Sequence, residues 1–160
     1  MRLLIISDSH GNKDLVKKII LETAKVDYVL FAGDGIKEIK QISRETDIEI
    51  IAVSGNCDYF SEVPSERLIV ICGKRIFLTH GHKYNVKFEL DKLYYRAKEL
   101  KADIVIFGHT HKPVSFTEED VLFFNPGSIL LSRGRKTGTF GLIDIGEGGK
   151  VHNEIIELNK

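Results

Sequence analysis

With 160 residues and a mass of 18.1 kDa, the chain is long enough to bury a substantial core and short enough for one domain. Apolar residues make up 42% and charged residues 29%, which is the composition of an ordinary globular protein. The formal net charge is zero, which excludes an overall basic field for nucleic acid or an anionic membrane, so a few groups in a pocket must capture any anionic substrate.

The first half of the chain alternates strand-like and helix-like segments. RLLIIS predicts a short buried strand, and an amphipathic helix follows DSHGN to about Ala24. YVLFAG predicts a second strand, GIKEIKQISRE a second helix and IEIIAVSG a third strand. Because these strands are apolar almost throughout and follow the order βαβαβ, we expect them to be parallel and covered by helices.

The second half of the chain is mostly strand. RLIVICGKRIFLTHG predicts an antiparallel hairpin that turns at CGK, and VKFELDKLYYRAKEL predicts a helix of about four turns. ADIVIFG predicts a further buried strand, and the remaining strand segments are PVSFTEED, VLFFNPGS, TGTFGLIDIGEGGK and VHNEIIEL, with GEGGK as a hairpin turn. We therefore predict an α/β fold of two packed sheets with helices outside them, in one domain.

Two features bear on the compartment. Cys57 and Cys72 are far apart and form no CxxC pair, which argues against a disulfide scaffold or a zinc knuckle and suits a reducing cytoplasm. The apolar run in MRLLIISDSH is far too short to span a membrane and does not end like a signal peptide. We predict a cytoplasmic protein without a membrane partner.

Polar side chains that can bind metals follow the predicted strand ends, where functional groups collect in α/β sheets. Five of the six histidines lie in these loops, and His152 is the exception. The loop residues, in chain order, are Asp8 and His10, Asp34, Asn56 and Asp58, His80 and His82, and His109 and His111.

Each motif also has a plain structural explanation. Asp8 can cap a helix, the Gly-Asp pair ending at Asp34 is a common turn, and the GNCD stretch can bond its own backbone. HGH and GHTH are harder to explain in this way, because histidine is not a preferred turn residue. All five motifs at equivalent positions together favour a shared site.

The ligand atoms in these loops are carboxylate oxygen and imidazole nitrogen, without paired thiolates. That set suits Mn²⁺, Fe²⁺, Zn²⁺, Co²⁺ or Ni²⁺ better than Ca²⁺. The ligands are too many for one ion, so the sequence predicts two ions that share a carboxylate, as in two-metal phosphoryl-transfer sites. No GxxxxGK phosphate loop and no GxSxG elbow is present in the sequence.

The ordered set of motifs resembles the calcineurin-like metallophosphoesterases, and more narrowly the small phosphodiesterases of the YfcE type. The resemblance runs from Asp8 to the NPGS stretch that ends at Ser128. It implies a β-sandwich of two mixed sheets flanked by helices, a four-layer αββα fold, formed by a single domain over residues 1–160. The motifs that carry it are Asp8-x-His10, Gly33-Asp34, Gly55-Asn56, His80 and Gly108-His109-x-His111.

The resemblance also implies a ligand set and a mechanism. One metal would be held by Asp8, His10, Asp34 and His111, and the second by Asp34, Asn56, His80 and His109. The implied reaction is direct hydrolysis of a small phosphoester by a hydroxide that the two metals activate, with Mn²⁺ favoured and Ni²⁺, Fe²⁺, Co²⁺ or Zn²⁺ as alternatives. The residues with implied catalytic roles are Asp34, Asn56 and His80.

One position departs from the wider superfamily, in which many members read GNH at the third motif. This chain has Cys57 there, and a neutral thiol is a poor proton donor to a leaving alkoxide. His82 is a candidate for that role or for a position that merely lines the pocket. Arg133, Arg135 and Lys136 are candidates for phosphate contacts or for a solvated loop.

The substrate class and the partners follow from the same comparison. We predict a phosphodiesterase that acts on a small phosphoester, and long nucleic acid is not expected as a partner. The alternatives are a phosphomonoesterase of the same fold and a non-catalytic protein-binding scaffold, like the retromer subunit that resembles these enzymes. The sequence leaves open the physiological substrate, the native metal and whether the chain forms a homo-oligomer.

Overall fold

The computed structural model describes residues 1–130 and 137–158, which form strands and helices in close to the predicted order. Two short 3₁₀ turns, at His82–Tyr84 and Glu147–Gly149, supplement them. The elements are β1 (Arg2–Ile6), α1 (Lys13–Glu22), β2 (Tyr28–Phe31), α2 (Ile36–Ile42), β3 (Glu49–Ala52), β4 (Glu66–Ile71), β5 (Lys74–Thr79), α3 (Asp91–Glu99), β6 (Ile104–Ile106), β7 (Val114–Glu118), β8 (Val121–Asn125), β9 (Thr139–Ile145) and β10 (Val151–Glu157).

The first sheet has the strand order β10-β9-β1-β2-β3 among the described residues. Strands β1, β2 and β3 are parallel, as the βαβαβ order predicts. On the other side of β1, β9 pairs antiparallel with β1, and β10 pairs antiparallel with β9. The parallel pairing brings the carboxyl ends of β1, β2 and β3 to one edge of the sheet.

The second sheet has the order β4-β5-β6-β8-β7 in the same described part of the chain. Strands β4 and β5 form the predicted antiparallel hairpin, and β5, β6 and β8 are parallel to one another. The loops after β5, β6 and β8 therefore leave this sheet at a common edge. Both sheets are mixed.

Three apolar layers hold the fold together. Leu3 and Ile5 of β1 point into the layer between the two sheets, whereas Leu4 and Ile6 point into the layer under α1 and α2. This alternation follows from the two-residue period of a strand, which turns successive side chains to opposite faces. The third layer lies between the second sheet and α3, where Leu93 is completely buried. The arrangement is the predicted αββα sandwich.

The predicted helix over Val86–Leu100 is too long. Helix α3 begins only at Asp91, and the segment before it turns at Asn85, whose φ is +60°. Val86 is 6% exposed and inserts into the core under α3. Apolar spacing alone does not distinguish a helical face from a turn that buries one side chain, which explains the error.

No helix within residues 1–130 and 137–158 has both the length and the apolar character that a bilayer crossing requires.

Candidate metal centre

The loops that follow the parallel strands of both sheets meet at one end of the sandwich. Each of the seven predicted metal-binding residues lies in such a loop, and the structure brings all seven together. The predicted set is Asp8 and His10 after β1, Asp34 after β2, Asn56 after β3, His80 after β5, and His109 and His111 after β6.

Asp8 is fully buried and its two carboxylate oxygens have different surroundings. Oδ2 accepts hydrogen bonds from the Ser7 hydroxyl at 2.5 Å and from the His109 backbone N–H at 3.1 Å. Oδ1 has no hydrogen-bond partner among the described residues, although it is buried. The nearest basic atom to it is His111 Nε2 at 3.1 Å, and Nε2 of both His10 and His80 lies at 3.9 Å.

Asp34 and His80 are also buried, at 3% and 0% exposure. His80 Nδ1 lies 2.7 Å from the Ala32 carbonyl oxygen, which can only accept, so Nδ1 carries a proton. His80 Nε2 consequently faces the centre, 3.4 Å from Asp34 Oδ2 and 3.1 Å from Asn56 Oδ1. Proteins commonly orient a metal-binding imidazole by a hydrogen bond from its other ring nitrogen.

The close approach of Gly33 to His80 explains the glycine before Asp34. A Cβ atom at Gly33 would lie 2.8 Å from His80 Nδ1 and 2.8 Å from the Gly55 backbone nitrogen, and the φ of Gly33 is +93°. A larger residue there would displace the imidazole or the loop after β3.

His10 and His111 form the solvent side of the centre. Their Nε2 atoms are 3.3 Å apart, and the two rings are tilted with centroids at 5.1 Å. Ligand atoms of Asp8, His10 and His111 all lie within 4.8 Å of one another, and the same holds for Asp8, Asp34 and His80. Both groups contain residues that the sequence assigned to metals.

His82 and His109 line the remaining wall beside His80. The ring centroid of His80 lies 5.0 Å from that of His109 and 5.4 Å from that of His82. Burial, together with the charges of His80 and Lys87, lowers the pKa of His109 to about 4, so its ring is neutral at neutral pH. His82 Nδ1 is buried without a hydrogen-bond partner among the described residues. The structure thus places His82 at the pocket wall.

The buried residues create a negative local field that favours the binding of a cation. Burial by itself raises the pKa of Asp34, but hydrogen bonds from His80 and Cys57 and the charge of His80 bring this pKa below its usual range. Burial lowers the pKa of His80, yet the neighbouring Asp34 and Asp8 carboxylates raise it above its usual value. Two buried carboxylates therefore dominate the local field.

Several site residues have unusual backbone conformations. Asp8, Asp34 and His109 have φ values of +55°, +59° and +66°, in the left-handed region that non-glycine residues seldom adopt. His10 and His111 have φ values of +42° and +57°. Such strain persists where the surrounding structure enforces it, and it is concentrated at functional sites.

Asp58 connects two loops of the centre through the backbone. Its carboxylate accepts hydrogen bonds from the N–H groups of Asp34, Gly35, Ile36 and Gly55, at 2.8–2.9 Å. Asp58 therefore links the loop after β2 to the loop after β3 through backbone amides.

The sequence interpretation missed two supporting side chains. Asn125 donates from Nδ2 to the Gly108 carbonyl at 2.9 Å, which holds the loop of His109 and His111, and Ser128 donates to the Asp8 carbonyl at 2.9 Å. Asn125 ends the strand parallel to β6, so the strand-end rule could have identified it. Arg133, Arg135 and Lys136 lie outside the described residues.

The residues present fit divalent metal ions. Asp8 and Asp34 are buried anions, and among the described residues only histidines approach their carboxylates within 4.0 Å as possible cations. Burying two carboxylates without a lysine or arginine is costly unless a cation neutralises them. Asp8 Oδ1, which has no hydrogen-bond partner within residues 1–130 and 137–158, and the facing imidazole nitrogens supply the oxygen and nitrogen lone pairs that such a cation needs.

The comparisons with known proteins agree with this arrangement. Residues 1–148 match the model of the calcineurin-like phosphoesterase superfamily domain. The chain is 37% identical to a probable metallophosphoesterase of Bacillus subtilis over 91% of this chain and 85% of that protein. It is 30% identical to a phosphodiesterase of Methanocaldococcus jannaschii over 98% and 99% of the two chains.

Two solved structures show the same fold. A predicted phosphoesterase from Streptococcus pneumoniae superimposes with a TM-score of 0.81 at 28% identity, covering 98% of this chain and 97% of that one. Wild-type Vps29 from Entamoeba histolytica, solved in complex with zinc, superimposes with a TM-score of 0.76 at 26% identity, covering 99% and 100%. The zinc belongs to that protein and is consistent with the ligand chemistry derived above.

Proposed function

The chain belongs to the calcineurin-like phosphoesterase superfamily, and from this premise we propose that it is a binuclear metal-dependent phosphodiesterase. The observation that carries the proposal is the buried Asp8 Oδ1, which has no hydrogen-bond partner among the described residues and faces three imidazoles next to Asp34. The phosphodiesterase name of the M. jannaschii relative supports the reaction type.

We assign the ligands as the family resemblance implies. Asp8, His10 and His111 would hold one ion and Asn56, His80 and His109 the other, with Asp34 shared between them. The clustering of Asp8 with His10 and His111 supports the first ligand set, and the clustering of Asp34 and His80 with Asp8 supports a second set next to it. When bound, the two ions supply Lewis acidity, which makes water nucleophilic near neutral pH and neutralises charge on the phosphoryl oxygens.

The residues of the chain perform the remaining tasks. Asp34 and Asp8 provide the negative charge that gathers cations, and the Ala32 carbonyl fixes the His80 ring so that Nε2 points inward. Asn56 has an amide group whose oxygen faces the centre, and its NH₂ group donates one hydrogen to the Cys57 sulfur at 3.4 Å and has a second hydrogen for a phosphoryl oxygen. The hydrolysis adds water across one P–O ester bond and releases a phosphomonoester and an alcohol.

A metal-reconstitution screen tests the proposal. Chelator-treated protein would be reloaded with Mn²⁺, Ni²⁺, Co²⁺, Fe²⁺ or Zn²⁺ and assayed on bis-p-nitrophenyl phosphate, p-nitrophenyl phosphate and a cyclic phosphodiester. We expect Mn²⁺-dependent hydrolysis with a preference for the diesters. Asp34→Asn should lower kcat/KM at least ~100-fold, whereas Asp14→Asn, at an exposed carboxylate of α1, should leave it unchanged.

Other results would point to the alternatives. Faster cleavage of p-nitrophenyl phosphate would identify a phosphomonoesterase, and no hydrolysis with any of the five metals would favour the non-catalytic scaffold. Full activity of Asp34→Asn would contradict the shared carboxylate.

The same proposal includes a cytoplasmic location, which suits the free thiols of Cys57 and Cys72, and a single domain over residues 1–160.

A further inference from the structure

A cleft of about 430 Å³ opens beside the metal centre, between the start of α2 and the loop after β3. This volume lies within the ~300–1,000 Å³ range of small-molecule sites. The groups that line it include cationic, aromatic, thiol and carboxylate side chains: Lys37, Lys40, Tyr59, Phe60, Cys57 and Asp58.

The cleft is continuous with the metal centre through Cys57. The Cys57 backbone N–H donates to Asp34 Oδ1 at 2.8 Å, and the Cys57 sulfur, His10 and Asp34 have ligand atoms within 4.8 Å of one another. A molecule whose phosphorus is attacked at the metal centre can therefore extend one ester arm directly into the cleft.

The aromatic side of the cleft is exposed to an unusual degree. Phe60 is completely exposed and Tyr59 is 78% exposed, although neighbouring side chains of this size normally bury much of their surface. Phe60 also has a φ of +57°, in a turn closed by the hydrogen bond from Ser61 N–H to the Asp58 carbonyl at 3.3 Å. The loop thus presents two rings to solvent in a strained conformation, which is the arrangement of a stacking surface.

The cationic side is supplied by α2. Lys37 and Lys40 are three residues apart, so they project from the same face of the helix. Both are exposed, and neither has an ion-pair partner within 4.0 Å in the part of the chain that the structure describes. Asp58, the carboxylate of the cleft, is directed to four backbone N–H groups instead. The two ammonium groups are available to an anion.

We propose that this cleft binds one arm of the phosphodiester substrate and that this arm is a nucleoside phosphate. The base stacks on Tyr59 and Phe60, and a terminal phosphate contacts Lys37 and Lys40. The inference builds on the proposed phosphodiesterase activity and specifies its substrate class. Two cations and a net charge of zero fit one or two nucleotides, because long nucleic acid requires many phosphate contacts.

Calorimetric titration of the Mn²⁺-loaded protein with thymidine 3′,5′-bisphosphate tests the subsite directly. The double variant Lys37→Ala/Lys40→Ala should raise Kd about tenfold. The matched control Lys92→Ala/Lys150→Ala removes two exposed lysines elsewhere and should leave Kd unchanged. When one phosphate of the bisphosphate binds the metals and the nucleoside lies in the cleft, the contribution of the metals is the same in wild type and variants, so the ratio of their Kd values reports the cleft.

The aromatic part of the subsite has its own control. Phe60→Ala should raise Kd about tenfold, because stacking on a base contributes about 1–3 kcal/mol. Tyr95→Ala, at a 67% exposed ring of α3, should have no effect. Wild-type protein that does not bind the bisphosphate, or cleft variants that bind like their controls, would overturn the subsite.

Kinetics separate this inference from the proposed function. The dinucleotides pTpT and TpT differ only by a terminal phosphate, so the double lysine variant should reduce the pTpT/TpT ratio of kcat/KM about tenfold. A ratio equal to that of wild type, with normal hydrolysis of bis-p-nitrophenyl phosphate, would refute the subsite and leave the phosphodiesterase intact. Absence of all phosphodiester hydrolysis would refute the proposed function, while the titration still decides whether the subsite exists.

Discussion

The candidate metal centre has two regions that are constructed differently. We call Asp8, Asp34 and His80 the floor, because all three are at most 3% exposed and bond to neighbouring protein groups. We call His10, Asn56 and His111 the rim, because they border solvent. The Nε2 atoms of His10 and His111 lie 3.3 Å apart.

This difference separates what the fold supplies from what an ion supplies. The floor is oriented by backbone amides and carbonyls, so its geometry is fixed by folding alone. Two imidazole nitrogens that face one another share at most one proton, and a bound cation satisfies both lone pairs at once. Substitutions in the floor should therefore lower both the stability of the fold and the catalytic activity, whereas substitutions in the rim should chiefly weaken metal binding.

The largest expected effect is the loss of the floor imidazole. His80→Ala should lower kcat/KM about 1,000-fold and the free energy of unfolding by about 1–3 kcal/mol, because the buried Ala32 carbonyl loses its 2.7 Å donor and keeps only the longer bond from the Ser7 hydroxyl. His10→Ala should lower kcat/KM less, recover partly at high Mn²⁺ and leave the unfolding free energy unchanged. Assays at graded Mn²⁺ and urea unfolding measure the two quantities. Equal destabilisation by both variants would erase the distinction.

Asp58 tests whether the floor depends on support from outside it. Asp58→Ala removes the acceptor of four backbone N–H groups and should lower the unfolding free energy by about 2 kcal/mol. It should also reduce kcat/KM about 10–100-fold, the range for groups that hold metal ligands in place. Asp58→Asn keeps one oxygen acceptor and should be milder in both denaturation and activity assays. A stable, fully active Asp58→Ala protein would show that the loops need no such link.

Metal binding should stabilise the protein through the rim. At a free Mn²⁺ concentration 100 times the Kd, the unfolding free energy of chelator-treated protein should rise by about 2.7 kcal/mol. His111→Ala should show a smaller rise at the same concentration, since it lacks one of the facing imidazoles. Thermal denaturation with and without Mn²⁺ provides the measurement. No Mn²⁺-induced shift in wild type would be inconsistent with a resident metal.

The smallest effect is expected at Cys57, between the two regions. Burial and the nearby Asp34 raise the pKa of the Cys57 thiol to about 11, so it stays protonated and is a weak acid. Cys57→His should therefore raise kcat on alkyl phosphodiesters about tenfold and on aryl phosphodiesters much less. Parallel assays of methyl and p-nitrophenyl leaving groups compare the two. Equal changes for both groups would count against a role in leaving-group protonation.

The sequence predicted well where the strands end and which polar residues follow them. Apolar runs such as LLII and IVIF are interpretable because strand burial leaves a direct mark on composition, and the residues after them fall at a common sheet edge. Helix α3 was predicted too long because the burial of Val86 in a turn has the same apolar signal as a helical face.

The sequence by itself determined the order of elements, the packing of two sheets and the polar residues that follow the strand ends, since these depend on local pattern and topology, and the family resemblance selected seven of those residues as ligands. Only the tertiary structure decided the floor and the rim. The left-handed backbone of Asp8 and His109, the backbone amides around Asp58 and the burial of Asp8 Oδ1 each arise from contacts between distant loops. The cleft of Lys37 and Phe60 likewise joins a helix and a loop whose proximity no local pattern records.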